Sequence, residues 1–459
     1  AIDWSFHLLN AEEQQSFARL AVFESQFFAQ AAQTITATQN LASLKNKSLI
    51  QQTGDQIFSM LTVLREYAFE QLTALGETEI VQQKHAAYYC QWLEEAQPHV
   101  NGRDQIAWFG RMKVELYNLQ AALEWFLQHQ VFEDAGRMVA ILWRYWATQS
   151  LISEGTQWIE RVFAHNEQLS PQIRARVAQG AGRFALLRFD YERSKAYQKT
   201  SLTLYQSVHD QEGEAAILQS LGETEFLQGN FPQAEIYLEA GLRLNRAINN
   251  EAGIGRCLTL IGKLIQQIGD FARAEVLLHE SLSLSLAHGS SEAIALSLYE
   301  LASVLRAQAK YQDAETCYRQ SLALYEELNL GVGVATMLYN LGFTLQGRGD
   351  YTTAFKYLLD ALKILQPLDE LNAIAECLIG LSAAFLYQEK REMATKTLSA
   401  AQAILTHLEG DGQLSYIDQA EYERIYDALK MGETPWEMAW ASGQATPLEQ
   451  IIKDVFKEA

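Results

Sequence analysis

The sequence predicts a mainly all-α protein: a superhelix of stacked helix pairs, preceded by a small helical unit with a short β-hairpin. Two observations predict the superhelix. The first is a period of forty residues. Leu221-Gly222, Gly229-Asn230-Phe231 and Ala234 return as Ile261-Gly262, Gly269-Asp270-Phe271 and Ala274, and again as Leu341-Gly342, Gly349-Asp350-Tyr351 and Ala354. Weaker copies are Phe189-Asp190-Tyr191 with Ser194, Ala309-Lys310-Tyr311 with Ala314, and Glu389-Lys390-Arg391 with Ala394. Aromatic anchors thus stand at 191, 231, 271, 311 and 351, and Arg391 takes the sixth slot. One unit of such a repeat cannot bury its own apolar face and must stack on its neighbours. The second observation is punctuation. There are only 6 prolines, and glycines recur at fixed places in the period instead of clustering into linkers. A mostly helical chain needs that distribution.

The leading unit, residues 1–75, rests on a different pattern. Helices are expected from Ala11 to Val22, from Phe28 to Ile35 and from about Thr38 to Lys45. Ser48-Leu49-Ile50 and Ile57-Phe58-Ser59-Met60 then flank Thr53-Gly54-Asp55, where Gly54 permits a tight turn. Leu61 to Leu75 is helical again. Three helices and a two-stranded wing make a winged-helix arrangement. Such a unit can read DNA through its third helix. Here that helix offers Gln39, Asn40, Ser43, Lys45 and Lys47, a thin set for phosphate contacts. A formal net charge of -20 also opposes non-specific nucleic-acid binding. The expected role is therefore packing or regulation.

Residues 76–171 read as a helical adaptor with degenerate repeats. A helix from Glu79 to Glu95 carries Val81, His85, Tyr88, Tyr89 and Trp92, and Pro98 with Asn101-Gly102 marks a loop. His85 lacks a ligand or acid partner at useful spacing and reads as a structural histidine. Further helices cover Ile106 to Gln128, Ala135 to Ala147 and Glu154 to Phe163, with aromatics at three- and four-residue spacing. Such spacing makes helix–helix core. Pro171 opens the array at a helix start.

The array itself spans 172–409 as six repeats, each a helix A and a helix B. In the second copy helix A runs about Glu212 to Gln228 and helix B about Phe231 to Ala247. Gly222 and Ala234 let backbones approach, while Phe231 and Leu238 fill the groove between pairs. The phrase Leu-Gly, then Gly-x-Phe/Tyr-x-x-Ala, resembles the tetratricopeptide repeat, with a period of forty in place of about 34. Carrying over that family's inner-face positions gives Arg176, Gln179 and Arg183, then Gln219 and Glu223, then Arg256, Thr259, Lys263 and Gln266. Later copies give Tyr299, Ser303 and Arg306, then Tyr339, Phe343 and Gln346. This stripe reads as basic and amide-rich. It is the candidate binding site on the concave face: a guanidinium fork grips carboxylate or phosphate, and tyrosine gives contact at low ordering cost. The bland alternative is a solvated polar face with no fixed partner. Residues 410–459 read as a helical cap: Leu398 to Leu408 ends in Glu409-Gly410-Asp411-Gly412, and Trp436 and Trp440 close the last apolar face.

Catalytic signatures are missing. There is no phosphate loop; Gly255 to Gly262-Lys263 has the wrong spacing and lies inside helix A. No zinc-protease, nucleophile-elbow or dinucleotide motif occurs, so the chain is read as neither an enzyme nor a holder of a metal or cofactor. The cysteines Cys90, Cys257, Cys317 and Cys377 are far apart and read as reduced thiols of a cytoplasmic protein. No apolar run is long enough to span a membrane.

A second resemblance covers essentially the whole chain. Trp4-Ser5, Leu8-Leu9, Leu20-Ala21-Val22-Phe23, Leu64-Arg65-Glu66-Tyr67-Ala68, His85-Ala86-Ala87-Tyr88, Glu115-Leu116-Tyr117-Asn118-Leu119 and Glu154-Gly155-Thr156-Gln157-Trp158 carry it. So does Ala439-Trp440-Ala441-Ser442-Gly443 near the end. The series resembles the region downstream of the nucleotide-binding domain in bacterial signal-transduction ATPases with numerous domains, including LuxR-type and MalT-like transcriptional regulators. The resemblance implies that an ATP- or ADP-binding switch precedes Ala1 as a partner domain. It also implies that the winged-helix unit belongs to that switch, that the array senses a protein, peptide or small-molecule inducer, and that activation can involve oligomers. The expected function is a non-catalytic sensor module. The alternatives are a constitutive protein-interaction scaffold and a DNA-binding regulator.

Overall fold

The computed structural model describes residues 2–368, 370–407, 416–431 and 436–458. It falls into two compact units: Ala1–Arg188 with Ala196–Asp210, and Phe189–Lys195 with Gln211–Ala459.

The first unit opens with α1 (Ile2–His7) and α2 (Ala11–Arg19), then β1 (Phe27–Phe28), α3 (Ala29–Thr36) and α4 (Leu41–Asn46). The wing is β2 (Gln51–Gly54) and β3 (Ile57–Ser59), followed by α5 (Thr62–Ala74). A capping box starts α2: the Asn10 side chain accepts from the Glu13 N–H, and Glu13 accepts from the Asn10 N–H. The sheet is three-stranded, in the order β1-β3-β2. This corrects two expectations. Phe28 pairs with Ile57 as strand, so the second helix begins only at Ala29. Ser48–Ile50 is not strand: Ser48 takes φ 58°, and Leu49 and Ile50 turn into the core. The third helix is six residues long, and three of its five polar residues, Asn40, Ser43 and Lys47, are engaged with α2. Ser43 donates to Glu13 at 2.6 Å, Lys47 reaches both Glu13 oxygens at 2.7 Å, and Asn40 donates to Ser16. Lys47, Ser43 and the Asn10 N–H hold the Glu13 carboxyl down at about 2.

The adaptor is α6 (Thr78–Val100), α7 (Gln105–Gln128), α8 (Phe132–Thr148) and α9 (Ile152–Phe163). Helix α6 runs through Pro98 where a loop was expected. A proline in the last turn forfeits one hydrogen bond and does not break a helix otherwise anchored by buried Tyr89, Trp92, Leu93 and Ala96. His85 is buried between Phe23 and Tyr89, and burial pushes its pKa down to about 3, so it is a neutral core residue. Two side chains of α7 pin the segment leading into β1. Glu115 accepts from the Phe28 N–H at 2.9 Å, from the Tyr89 hydroxyl at 2.6 Å and from Asn118 at 2.6 Å. Asn118 accepts from the Glu24 N–H and donates to the Gln26 carbonyl, both at 2.8 Å. Burial raises the Glu115 pKa against these donors.

Helices α10 (Pro171–Leu187) and α11 (Tyr191–Ser207) follow. The pairs of the second unit are α12 (Gln211–Leu227) with α13 (Phe231–Ala247), α14 (Glu251–Gln267) with α15 (Phe271–His288), and α16 (Ser291–Ala307) with α17 (Tyr311–Glu327). Then come α18 (Gly331–Gly347) with α19 (Tyr351–Leu365) and α20 (Leu371–Tyr387) with α21 (Arg391–His407). The period has three physical causes. Every turn from A to B needs one residue in the left-handed region: Gly229, Gly269 and Gly349 supply it, and Phe189, Ala309 and Glu389 adopt it with φ near 60°. The Leu-Gly glycine is a close approach: a Cβ on Gly222, Gly262 or Gly342 would meet Leu238, Leu278 or Leu358 at 2.6–2.7 Å. Finally, Ser201, Ser281 and Ser321 on B helices each donate to an A-helix carbonyl, of Ala175, Gly255 and Ala295, at 2.7–2.8 Å.

Beyond the pairs lie α22 (Tyr416–Lys430), α23 (Trp436–Ala445) and α24 (Leu448–Glu458). Ile425, Leu429, Ile451, Ile452 and Val455 join the core of the last pairs, as a cap requires. Arg391 sits where other repeats place an aromatic because its neighbour ends differently. It donates to the Ala428 and Leu429 carbonyls in the last turn of α22. In the preceding repeat Tyr351 instead stacks on Tyr387 at 4.2 Å. Trp436 and Trp440 pack on each other and on Tyr426. The expected loop at Glu409–Gly412 lies outside the described residues.

Candidate binding surface

From α12 to α18, each A helix of the second unit is tied to the next by side chains thirty-seven residues apart. Arg256 donates to Gln219 at 3.4 Å, Lys263 pairs with Glu300 at 3.1 Å and Gln266 donates to Ser303 at 2.9 Å. Arg306 lies over the Phe343 ring at 5.3 Å. The register is three short of the period because helical side chains lean toward the N-terminus of their helix, so each meets a residue one turn earlier on the next.

This ladder divides the candidate stripe. Gln266, Ser303, Arg306, Tyr339, Phe343 and Gln346 are buried between helices. Gln346 donates to the Gly380 carbonyl at 2.7 Å, and Tyr339 packs edge-on to Phe343. Gln219, Glu223, Arg256, Lys263 and Tyr299 are half-buried, on the adjacent helices α12, α14 and α16. In the first unit Arg176, Gln179 and Arg183 are half-buried on α10, and Gln179 accepts from the Tyr205 hydroxyl at 3.0 Å. Thr259 is packed away: it shares a buried hydroxyl cluster with Ser281 and Ser297.

Electrostatically the face of the second unit is mixed, where the sequence reading made it basic. Lys263 is matched by Glu300, a buried carboxylate that the inner-face positions do not include. Glu300 holds the Lys263 pKa up against desolvation, and Glu223 and Glu376 act in the same direction. The signal for Glu300 was present in the sequence, since it stands thirty-seven residues after Lys263. Arg256 is different. Burial lowers its pKa, and no carboxylate among the described residues lies within 4.0 Å of its guanidinium. Cys257 and Cys377 are buried, with thiols pushed up by that burial, and so are core fillers. Among the described residues no group of His, Cys, Asp and Glu is placed to hold a metal ion, and no helix is long and apolar enough to cross a membrane.

A tetratricopeptide-repeat family model matches residues 174–247, 256–327 and 333–407. Proteins of Mycobacterium bovis and Mycobacterium tuberculosis described as HTH-type transcriptional regulators are 28% identical over 193 residues, which is 38% of this chain. The chain spans 22% of the length of those relatives. Among solved structures, the fold is shared with a signal transduction ATPase with numerous domains that carries a tetratricopeptide repeat sensor, from Pyrococcus horikoshii. Its TM-score is 0.57 at 14% identity, over 99% of this chain and 65% of that one. A Rap protein complexed with competence and sporulation factor has a TM-score of 0.56 at 13% identity, over 82% of this chain and all of that one. By matched sequence and by fold, residues 174–407 carry tetratricopeptide repeats.

Proposed function

We propose that the half-buried face of α12, α14 and α16 receives a protein or peptide segment, and that the chain is the sensor module of a signal-transduction regulator. The carrying observation is the contrast along the A helices. From Arg306 onward the inner positions are packed shut, whereas Gln219, Glu223, Arg256, Lys263 and Tyr299 keep polar and aromatic surface toward solvent. Two likenesses of fold support the reading: one solved neighbour carries a repeat sensor, and another is complexed with competence and sporulation factor. In this reading the winged-helix unit relays the bound state to a nucleotide-binding partner domain, which needs a ligand with different affinities for two states.

Hydrogen exchange tests the relay. The tightest binder from a randomised hexapeptide library is added at saturation. A sensor changes amide exchange within residues 10–75 as well as in the array. Protection confined to the array would contradict sensing and leave a constitutive scaffold.

A further inference from the structure

We infer that Arg111, outside the repeat array, is the centre of an oxyanion site in the adaptor: its guanidinium, seated in a cage of aromatic rings, takes the phosphate or carboxylate group of a small ligand. The inference is independent of the face formed by α12, α14 and α16.

Helices α6 and α7 and strand β1 build the cage. The Arg111 Cζ lies 4.2 Å from the centre of the Trp108 ring, 5.3 Å from that of Trp92 and 5.7 Å from that of Phe28. The walls are fixed by their own packing. The two indoles meet with centroids 5.3 Å apart, and His99 stacks on Trp108 at 5.2 Å while its Nδ1 lies 3.0 Å from Asp104. Ring faces attract a cation but take none of its N–H groups, so the in-plane donors of the guanidinium stay unused. Among the described residues Arg111 donates no hydrogen bond and has no carboxylate within 4.0 Å. Glu115, one turn onward in α7, acts on it only from beyond that distance, and Glu115 is already occupied by the donors of Phe28, Tyr89 and Asn118.

The surroundings add further donors. The indole N–H groups of Trp92 and Trp108 and the Tyr88 hydroxyl have no protein partner, and none of them is sealed from solvent, although Trp92 as a whole is only 5% exposed. Burial and Glu115 push the Tyr88 pKa up to about 12 while Arg111 opposes them, so the hydroxyl keeps its proton and can donate. Glu95, exposed on α6, acts on Tyr88 but does not come within 4.0 Å of Arg111. The flank of α7 is open: Ala107 and Gly110 are exposed, and a Cβ on Gly110 would meet nothing within 4 Å. A cation whose faces are shielded from water and whose edge carries unmet donors suits an oxyanion, which accepts two of them side by side. The site also lies at a joint, since the Phe28 N–H is the one that Glu115 holds.

The test uses the full chain and the indole N–H resonances of its 9 tryptophans, with those of Trp92 and Trp108 assigned through Trp92→Phe and Trp108→Phe. Inorganic phosphate and acetate are titrated separately at constant ionic strength. Saturable shifts confined to Trp92 and Trp108 are expected from at least one of them. Saturation by phosphate alone assigns a phosphate-bearing ligand, by acetate alone a carboxylate, and by both the shared oxyanion chemistry. Arg111→Gln is expected to weaken binding about tenfold, the loss of one bidentate charge-assisted contact. Arg111→Lys keeps the charge without the fork and is expected to fall between that variant and the parent. Tyr88→Phe is expected to weaken binding about threefold, as for one neutral hydrogen bond. Lys113→Ala, exposed on the same helix, is expected to change nothing. Should Arg111→Gln not fold, Arg111→Lys and Tyr88→Phe carry the test. No saturable shift from either ion, shifts spread alike over all the indoles, or parental affinity in the Arg111 variants would overturn the assignment.

Discussion

Replacing Gly262 by valine is expected to cost the array about 3 kcal/mol, near the upper end for overpacking a core. Better helix propensity would favour a side chain over glycine at mid-helix by about 1 kcal/mol. The close approach outweighs that gain, because a Cβ at Gly262 would stand 2.7 Å from Leu278 Cγ and 2.8 Å from Cδ2. Both residues lie inside the core of α14 and α15, so neither helix can yield without opening the pair. Urea unfolding followed by circular dichroism measures the loss. The double variant Gly262→Val with Leu278→Ala is expected to fall short of the summed single costs, since the second change removes the group the first collides with. Strict additivity would show that the contact does not set the Leu-Gly phrase.

Asn118→Ala is expected to destabilise the first unit by about 3 kcal/mol, at the level of buried hydrogen-bond networks. It strands the Glu24 N–H and the Gln26 carbonyl and removes a donor from Glu115. Glu115→Gln, nearly isosteric, is expected to cost about 2 kcal/mol for a subtler reason. All three partners of Glu115 are donors, from Phe28, Tyr89 and Asn118, so an amide would turn its NH₂ toward another donor. Thermal unfolding of both variants, followed by tryptophan fluorescence, checks the order of the two effects. A Glu115→Gln variant as stable as the parent would show that the carboxylate is protonated and already donates.

The repeat was legible because its causes are local and recur. A left-handed turn residue, a glycine facing a leucine and an aromatic at the start of helix B each leave a mark at a fixed offset, and Gly262, Gly269, Phe271 and Leu278 carry all of them in one copy. The same logic identified Arg391 as the odd anchor but not its task, because the α22 carbonyls it meets lie thirty-seven and thirty-eight residues onward. Glu115 and Asn118 were visible only as part of a resemblance. Their partners at Glu24, Gln26 and Phe28 are some ninety residues away, and no periodicity joins an adaptor helix to the segment that leads into β1. Helix α6 outran its expected end because Pro98 falls in its final turns, where tertiary packing overrides propensity. For the binding face, the inner positions were legible from the period, but their exposure was not. Whether Arg256 or Lys263 finds a carboxylate depends on the offset of thirty-seven, which is set by side-chain lean between helices and not by the period itself.

The account's central claim is that ligand contact occurs on the A helices α12, α14 and α16. Photo-cross-linking tests it most directly. A photoreactive phenylalanine analogue is placed at Tyr299, half-buried on α16, and separately at Ile236, exposed on the B helix α13. With the tightest library peptide bound, the account expects a cross-linked adduct from position 299, mapped by mass spectrometry, and none from position 236. An adduct from position 236 with none from 299 would place the partner on the B helices and contradict the account.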